Sequence, residues 1–265
     1  MQHMAFGTIE QALEDLRAGK FLVVADDEDR ENEGDLIGAA EFITAEKVNF
    51  LMGAKGMICL ALSPEKVQQL DLQPMGTENT EAMRTAFTVT IDAAPRFGVT
   101  TGISAGDQAA TIRAAVDPQA VPHDLRRPGH VHPLRAREGG VLQRVGHTEA
   151  AVDLMRLAGL QPAGVICEIL NADGTTAKRP ELDVFAQTHG LTFITVAQLV
   201  AFRLRHERLV HRVAEAQLLA GALVDDLALD DDGRARVGRG VGEDVATREV
   251  RARVEVEAAA VDLEA

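Results

Sequence analysis

The sequence predicts an α/β or α+β domain, a sheet covered by helices, followed by a C-terminal tail. Three observations carry this. Short apolar runs bounded by turn residues alternate with helical patterns as far as about residue 200, and a helix-covered sheet produces that alternation. Hydrophobic residues make up 46% and charged residues 26% of 265, the usage of a soluble globular chain long enough to bury a full core. Several of the helical segments also carry their own start signals.

In chain order, a helix is predicted over Ile9–Arg17, then strands over Phe21–Ala25 and Leu36–Ala40, each rich in aliphatic side chains. A helix at Ala45–Ala54 leads to a strand at Met57–Leu62. Ser63-Pro64 then supplies an N-cap and a first-turn proline for a helix over Pro64–Leu70. Phe87–Ile91 reads as a strand. Ser104 and Asp107 have capping-box spacing ahead of a helix at Gln108–Ala115, with Asp in place of Glu. Pro118–Gly140, with four prolines, three histidines and four arginines, reads as a long irregular stretch, and such a loop inside a compact domain is usually functional. Next come a helix over Glu149–Ala158, a strand over Gly164–Leu170, a helix over Glu181–His189 and a strand over Thr192–Ile194. Thr195 then starts a helix over Val196–Arg208. The domain is assigned to 1–208. The remainder, 209–265, reads as an acidic, weakly structured or separately packed tail: from Gln217 on it has no Lys, Pro or aromatic residue, and it contains Asp230-Asp231-Asp232. Strand order cannot be read from this pattern.

The net charge of −14, from 41 acidic residues against 27 Lys plus Arg, argues against a nucleic-acid partner, which needs a basic surface. It leaves room for an anionic small substrate, because a few arginines and a divalent cation reverse the sign locally. Cys59 and Cys167 form neither a disulfide framework nor a metal-ligand spacing, which suits a reducing compartment. No basic-then-apolar leader opens the chain, and no apolar run approaches the roughly 18 residues of a membrane span. A cytoplasmic protein with no membrane partner is expected.

Five stretches carry candidate chemistry. Asp26-Asp27-Glu28-Asp29-Arg30-Glu31-Asn32-Glu33-Gly34-Asp35 comes directly after a predicted strand. A charge run is ordinarily a solvated loop. At the carboxyl end of a strand, however, its oxygens suit a hard cation such as Mg²⁺, and Arg30 offers a fork to a phosphate or sugar oxygen. In Arg144-Val145-Gly146-His147-Thr148-Glu149 a glycine and an arginine precede a helix, which makes an anion site of the free backbone N–H groups. His147 there is either a cap-region structural residue or a metal ligand. Glu168 interrupts an apolar strand, so it either faces water at an edge or acts as a buried acid or base. Arg126–Leu134 places His130 and His132 in the irregular stretch, as surface loop or as shaped active-site loop. Thr100–Asp107 either lines a pocket or is only a well-capped turn.

Taken in order, Asp26–Leu36, Thr100–Asp107, Arg127–Leu134, Gly146–Leu160 and Pro162–Leu170 resemble the 3,4-dihydroxy-2-butanone 4-phosphate synthases, and the resemblance runs from about Phe6 to Arg208. It implies a lyase that converts D-ribulose 5-phosphate to L-3,4-dihydroxy-2-butanone 4-phosphate and formate in riboflavin biosynthesis. It implies a mixed β-sheet sandwiched by helices, and a homodimer with active sites near the subunit interface. Glu31 and His147 would hold the divalent metals, normally two Mg²⁺ with Mn²⁺ as a substitute. Arg30, Glu31, Asp35, Thr101 and Glu168 would contact the sugar phosphate, and Arg144, Val145, Gly146, His147 and Thr148 would cradle its phosphate. His130 and Glu168 would be the catalytic residues most sensitive to removal.

Two positions depart from the family pattern: His132 stands where Phe is usual, and Gln108 where a basic residue is common. Both are expected to alter rate or packing rather than abolish chemistry. Many relatives are fused to a GTP cyclohydrolase II domain, and Arg205–Val210 resembles that junction. Residues 211–265 contain no cysteine, so a three-cysteine zinc site and the second activity are expected to be absent. The competing readings are an inactive homologue that binds sugar phosphates and another metal-dependent sugar-phosphate enzyme, an aldolase or isomerase, which would release no formate.

Overall fold

Thr8 starts the first helix, α1 (Ile9–Arg17), by accepting from the Gln11 N–H while the Gln11 side chain returns a bond to the Thr8 N–H. The structure, a computed structural model, describes residues 5–207 and, further on, 227–229 and 235–237. After α1 come β1 (Leu22–Ala25), β2 (Gly34–Ala39), α2 (Ala45–Gly53), β3 (Cys59–Leu62), α3 (Pro64–Gln69), β4 (Ile91–Ala93), α4 (Ala105–Val116), β5 (Leu125–Arg135), α5 (His147–Ala158), β6 (Ala163–Glu168), α6 (Arg179–His189), β7 (Thr192–Thr195) and α7 (Val196–His206). The chain divides into units 1–206 and 207–265. Within the second, β8 (Leu227–Leu229) and β9 (Ala235–Val237) pair antiparallel. The remaining expectations for the tail, and the predicted end of the last helix at Arg208, lie outside the described residues.

The seven strands of the first unit form one mixed sheet in the order β4-β5-β3-β6-β2-β1-β7. β1 with β7 and β3 with β5 are parallel, and the other pairs are antiparallel. Side chains alternate between its two faces. Val23, Leu36, Leu60, Val165 and Cys167 enter one core with α2, α3, α4 and α6. Leu22, Val24, Ile37, Cys59 and Ile166 enter the other with α1, α5 and α7. The expected mixed sheet between helical layers is therefore what this sequence forms.

Two expectations about strands fail. The stretch 118–140 is not irregular throughout: Leu125–Arg135 is an eleven-residue strand. Pro128 and Pro133 read as breakers because proline lacks an N–H. Tertiary pairing overrides that, since β3 and β4 flank the strand and the Pro133 carbonyl still accepts from the Thr88 N–H at 3.0 Å. Conversely, Phe87–Ile91 is not a continuous strand. Phe87 and Thr88 make only isolated bridges, to Leu134 and Pro74, and the strand proper starts at Ile91. Pro74 and Pro133, which face this segment, have no N–H to give it, and its pairing stays at these single bridges.

Helix starts obey their caps. Ser63 and Ser104 accept from the N–H three residues on, and Thr195 does so from Gln198. Ser104 thereby sets the start of α4 at Ala105, three residues earlier than the apolar periodicity alone places it. Asp107 does not complete the capping box. Its carboxylate instead gathers the Thr100 N–H and hydroxyl and the Gly102 N–H, at 2.8–3.0 Å.

Candidate active site

The β1–β2 connection is organised by Asp26, whose side chain is fully buried. It accepts from Arg30 Nη1 at 2.7 Å, from the Glu31 N–H at 3.1 Å and from the Glu33 N–H at 2.9 Å. The acidic run is thus a folded loop with its carboxylates turned inward at Asp26, Glu31 and Asp35, while Asp27, Glu28 and Asp29 stay exposed. Asp35 lies on β2 opposite Glu168 on β6, both on the face covered by α5. Glu168 is not at an edge: β6 is the middle strand of the sheet, and Glu168 Oε2 accepts from the Met57 N–H at 2.7 Å.

His147, the first residue of α5, is buried at the same spot. A carbonyl can only accept, so the 3.1 Å contact with Val24 O fixes the hydrogen on Nε2. Nδ1 then faces Glu31 and Asp35, each at 3.7 Å. Ligand atoms of Asp26, Glu31 and His147 lie within 4.8 Å of one another. The electrostatics are those of carboxylates crowded around one imidazole. His147, 3.7 Å away, and Arg30 hold the Glu31 carboxyl down at about 2. Burial pushes Asp35 up, reinforced by Glu168, Glu31 and Glu33 and opposed only by His147. Burial works against a charge on His147, but Asp35 and Glu31 outweigh it and raise its pKa. Asp35 Oδ1 is buried with no hydrogen-bond partner. An orphaned carboxylate oxygen, a second carboxylate and an imidazole of fixed tautomer make a donor set suited to a hard divalent cation.

Beside this cluster the N-terminus of α5 is open. Gly146 stands at the N-cap and no side chain caps it, so the first amides of the helix point outward. A Cβ at Gly146 would strike the Arg144 guanidinium and crowd Arg30 Nη2. Arg144 is held on three sides, by Glu149 at 2.6 Å, Thr85 Oγ1 at 2.7 Å and Met83 O at 3.1 Å. Two of its five N–H groups remain for a ligand. Helix dipole, bare amides and two arginines make an arrangement suited to an anion.

Arg30, Glu31, Asp35, Arg144, His147, Thr148 and Glu168 line one cavity of about 180 Å³. Gly146 adjoins it through backbone, and Val145 beside it is half exposed. A larger cleft of about 410 Å³ shares Glu81, Thr85 and Phe87 but contains none of the candidate cation ligands Asp26, Glu31, Asp35 and His147. His130 and Thr101 line neither space. His130 lies on β5 tied to Asp92, and Thr101 is exposed in the turn before α4. Sequence reasoning missed Asp26, Asp92, Glu149 and Thr85. Asp26 and Glu149 sit inside motifs already singled out, but nothing local distinguishes a carboxylate that organises from one that binds. Of the two departures, His132 is half buried with Nδ1 unpartnered, and Gln108 is buried with its amide donating to Ile103 O.

This is a helix-sheathed mixed sheet in which one cavity joins a cation-type donor set to an uncapped helix N-terminus flanked by arginines. A family model of 3,4-dihydroxy-2-butanone 4-phosphate synthase matches residues 10–202, and the chain belongs to that family. It is 57% identical over 218 residues to the riboflavin biosynthesis protein RibBA of Aquifex aeolicus, covering 82% of this chain and 54% of that one. It is 54% identical over 205 residues to the 3,4-dihydroxy-2-butanone 4-phosphate synthase of Klebsiella pneumoniae, covering 77% of this chain and 94% of that one. A solved 3,4-dihydroxy-2-butanone 4-phosphate synthase in complex with two magnesium ions aligns with a TM-score of 0.73 and 42% identity, over 76% of this chain and 98% of that one. The chain spans about half the length of RibBA relatives such as those of Aquifex and Salinispora arenicola, at 54% and 50%. No helix among the described residues is long and apolar enough to cross a membrane.

Proposed function

We propose that the chain converts D-ribulose 5-phosphate to L-3,4-dihydroxy-2-butanone 4-phosphate and formate, the reaction that supplies the four-carbon unit of riboflavin. The observation that carries this is the convergence of Glu31, His147, Asp35 and Glu168 with Arg30 and Arg144 in one cavity of a chain of this family. The substrate's phosphate docks at the N-terminus of α5, on the amides of Gly146–Thr148 and the two guanidinium groups, with Val145 part of the same turn. Its sugar oxygens then extend toward Glu31, His147 and Asp35. Two Mg²⁺ per site are expected, held by Glu31 and His147, with Mn²⁺ as a substitute of the same ligand preference. When bound, these ions act as Lewis acids on the sugar's hydroxyl and carbonyl oxygens.

Glu168 takes and returns protons at the sugar carbons. Met57 holds its Oε2, so Oε1 is the oxygen left to the cavity. His130 is the second proton-transfer group. Because His130 and Thr101 stand outside the cavity of their own chain, they support the homodimer reading, in which each reaches the site near the subunit interface. The cytoplasmic reading rests on two buried free cysteines, Cys59 and Cys167. The test is proton and carbon NMR of the protein with ribulose 5-phosphate and Mg²⁺, with Glu31→Ala as control. Formate and an equal amount of a four-carbon phosphate, both absent in the control, are expected. Folded, metal-loaded protein that releases none would instead be the inactive sugar-phosphate-binding homologue.

A further inference from the structure

We infer that Asp92 is the positioning residue for His130, fixing which of its ring nitrogens is offered to substrate; this rests on the reading of His130 as a proton-transfer group. Asp92 lies on β4 and is 8% exposed. One carboxylate oxygen accepts from the His130 backbone N–H at 3.0 Å, and the other lies 2.8 Å from His130 Nδ1. An ionised carboxylate can only accept, so the proton resides on Nδ1 and the lone pair on Nε2. The His130 side chain is 42% exposed, against 12% for that of Asp92, so the ring's free edge is turned outward while its root is clamped.

The surrounding backbone is built for this contact. The β4–β5 register shifts between Ile91 and Asp92: Ile91 pairs with Val131 but Asp92 with Arg126, so residues 127–130 form an excursion over Asp92. At Gly129 the two strands come so close that a Cβ would collide with the Ile91–Asp92 backbone, and the Gly129 N–H bonds to Thr90 Oγ1 at 3.0 Å. On the other side, Gly102 holds φ +98, and a Cβ there would fall on the Asp92 carboxylate. Asp92 is therefore boxed between two glycines with its two oxygens spent on one residue. A carboxylate that served only to join β4 to β5 would be satisfied by the backbone bond. The second bond restrains nothing in the sheet, only the imidazole. This is the carboxylate–imidazole relation by which an enzyme selects a tautomer and supports the cation formed when the ring takes a proton.

The test uses Asp92→Asn, which keeps an oxygen for the His130 N–H, with His130→Ala measured in parallel. Formate release from ribulose 5-phosphate with Mg²⁺ gives kcat and KM. Nitrogen-15 NMR of the His130 ring gives the tautomer without substrate, and Tm reports integrity. In the wild type the ring is expected to be protonated at Nδ1. In Asp92→Asn that preference is lost, and kcat falls about 10²–10⁴-fold, the cost of presenting the wrong nitrogen, with KM and Tm nearly unchanged. Near-normal turnover in Asp92→Asn beside a dead His130→Ala would overturn the inference and leave the role of His130 intact. So would a His130 ring whose tautomer is the same in both proteins. Near-normal turnover in His130→Ala would remove the role of His130, and that of Asp92 with it.

Discussion

Replacing Glu149 by alanine strands a charge that the fold has taken out of water. Glu149 sits in the first turn of α5 and is 1% exposed at its side chain, and Arg144 against it is 13% exposed. The two are joined at 2.6 Å, and Glu149 also accepts from the Arg137 N–H at 3.0 Å. Removing one member of a buried pair costs about 3–5 kcal/mol, since the survivor keeps its desolvation penalty and loses its compensation. Arg144 retains Met83 O and Thr85 Oγ1, and Arg137 is exposed enough for water to replace its lost acceptor, so the low end applies, about 3 kcal/mol. In a domain of this size that lowers Tm by about 6–12 °C. Glu149→Gln keeps shape and an acceptor but loses the charge, and should cost about half as much. Urea unfolding followed by far-UV circular dichroism reads both, with unchanged slope as the check that only stability moved. In an Arg144→Ala background, Glu149→Ala should become much cheaper, leaving a coupling of about 2 kcal/mol. A loss below about 1 kcal/mol for Glu149→Ala, or additivity in the double variant, would refute the argument.

Gly146→Ala is expected to weaken ribulose 5-phosphate binding about 10–100-fold, because its Cβ displaces Arg144 from the anion site. Calorimetric titration with substrate in the absence of metal checks this against unchanged Mg²⁺ affinity. His147→Ala should abolish the Mg²⁺-induced rise in Tm, which for the wild type at a hundredfold excess over Kd is about 2.7 kcal/mol of stabilisation; a full thermal shift in the variant would remove His147 from the ligand set. Asp107 is held down at about 2 by the Thr100 N–H and hydroxyl and the Gly102 N–H. A carboxyl whose folded value is depressed stabilises above its unfolded value and loses that contribution as pH falls. The Tm gap between wild type and Asp107→Asn should therefore hold from pH 7 to about 4 and close from there toward about 2; a gap that widened with acid would contradict the bonding described.

The parts of the candidate site that were legible in the sequence are those whose chemistry is local. Glu31 and Asp35 sit in one short run after a strand, and Gly146-His147-Thr148 announces a helix start by its own spacing. Cap residues likewise declared α3, α4 and α7. Asp92 was invisible because it differs from any other acidic residue only through a partner 38 positions away. Strand β5 was lost to its prolines, whose local meaning is interruption, although β3, far earlier in the chain, supplies its pairing. Glu149 illustrates the middle case. It lay inside a motif already singled out, but whether it binds a ligand or holds Arg144 depends on where the guanidinium turns.

The hydrogen bond from His147 to Val24 O ties a helix residue to the end of the strand that feeds the acidic loop. Both halves of the proposed cation site are thus measured from β1, and the interval 26–33 acts as a spacer of set length between them. Asp26 N–H to Glu33 O closes that spacer, and the β1–β2 ladder resumes at once with Ala25 opposite Gly34. An added residue taken up by slipping the ladder would turn Asp35 into the core that now holds Leu36, and Leu36 into the cavity. A change in the number of loop residues would have to be absorbed as a bulge, leaving both flanking strands in frame, while Asp27 shapes the loop itself by accepting from the Asp29 N–H at 2.9 Å.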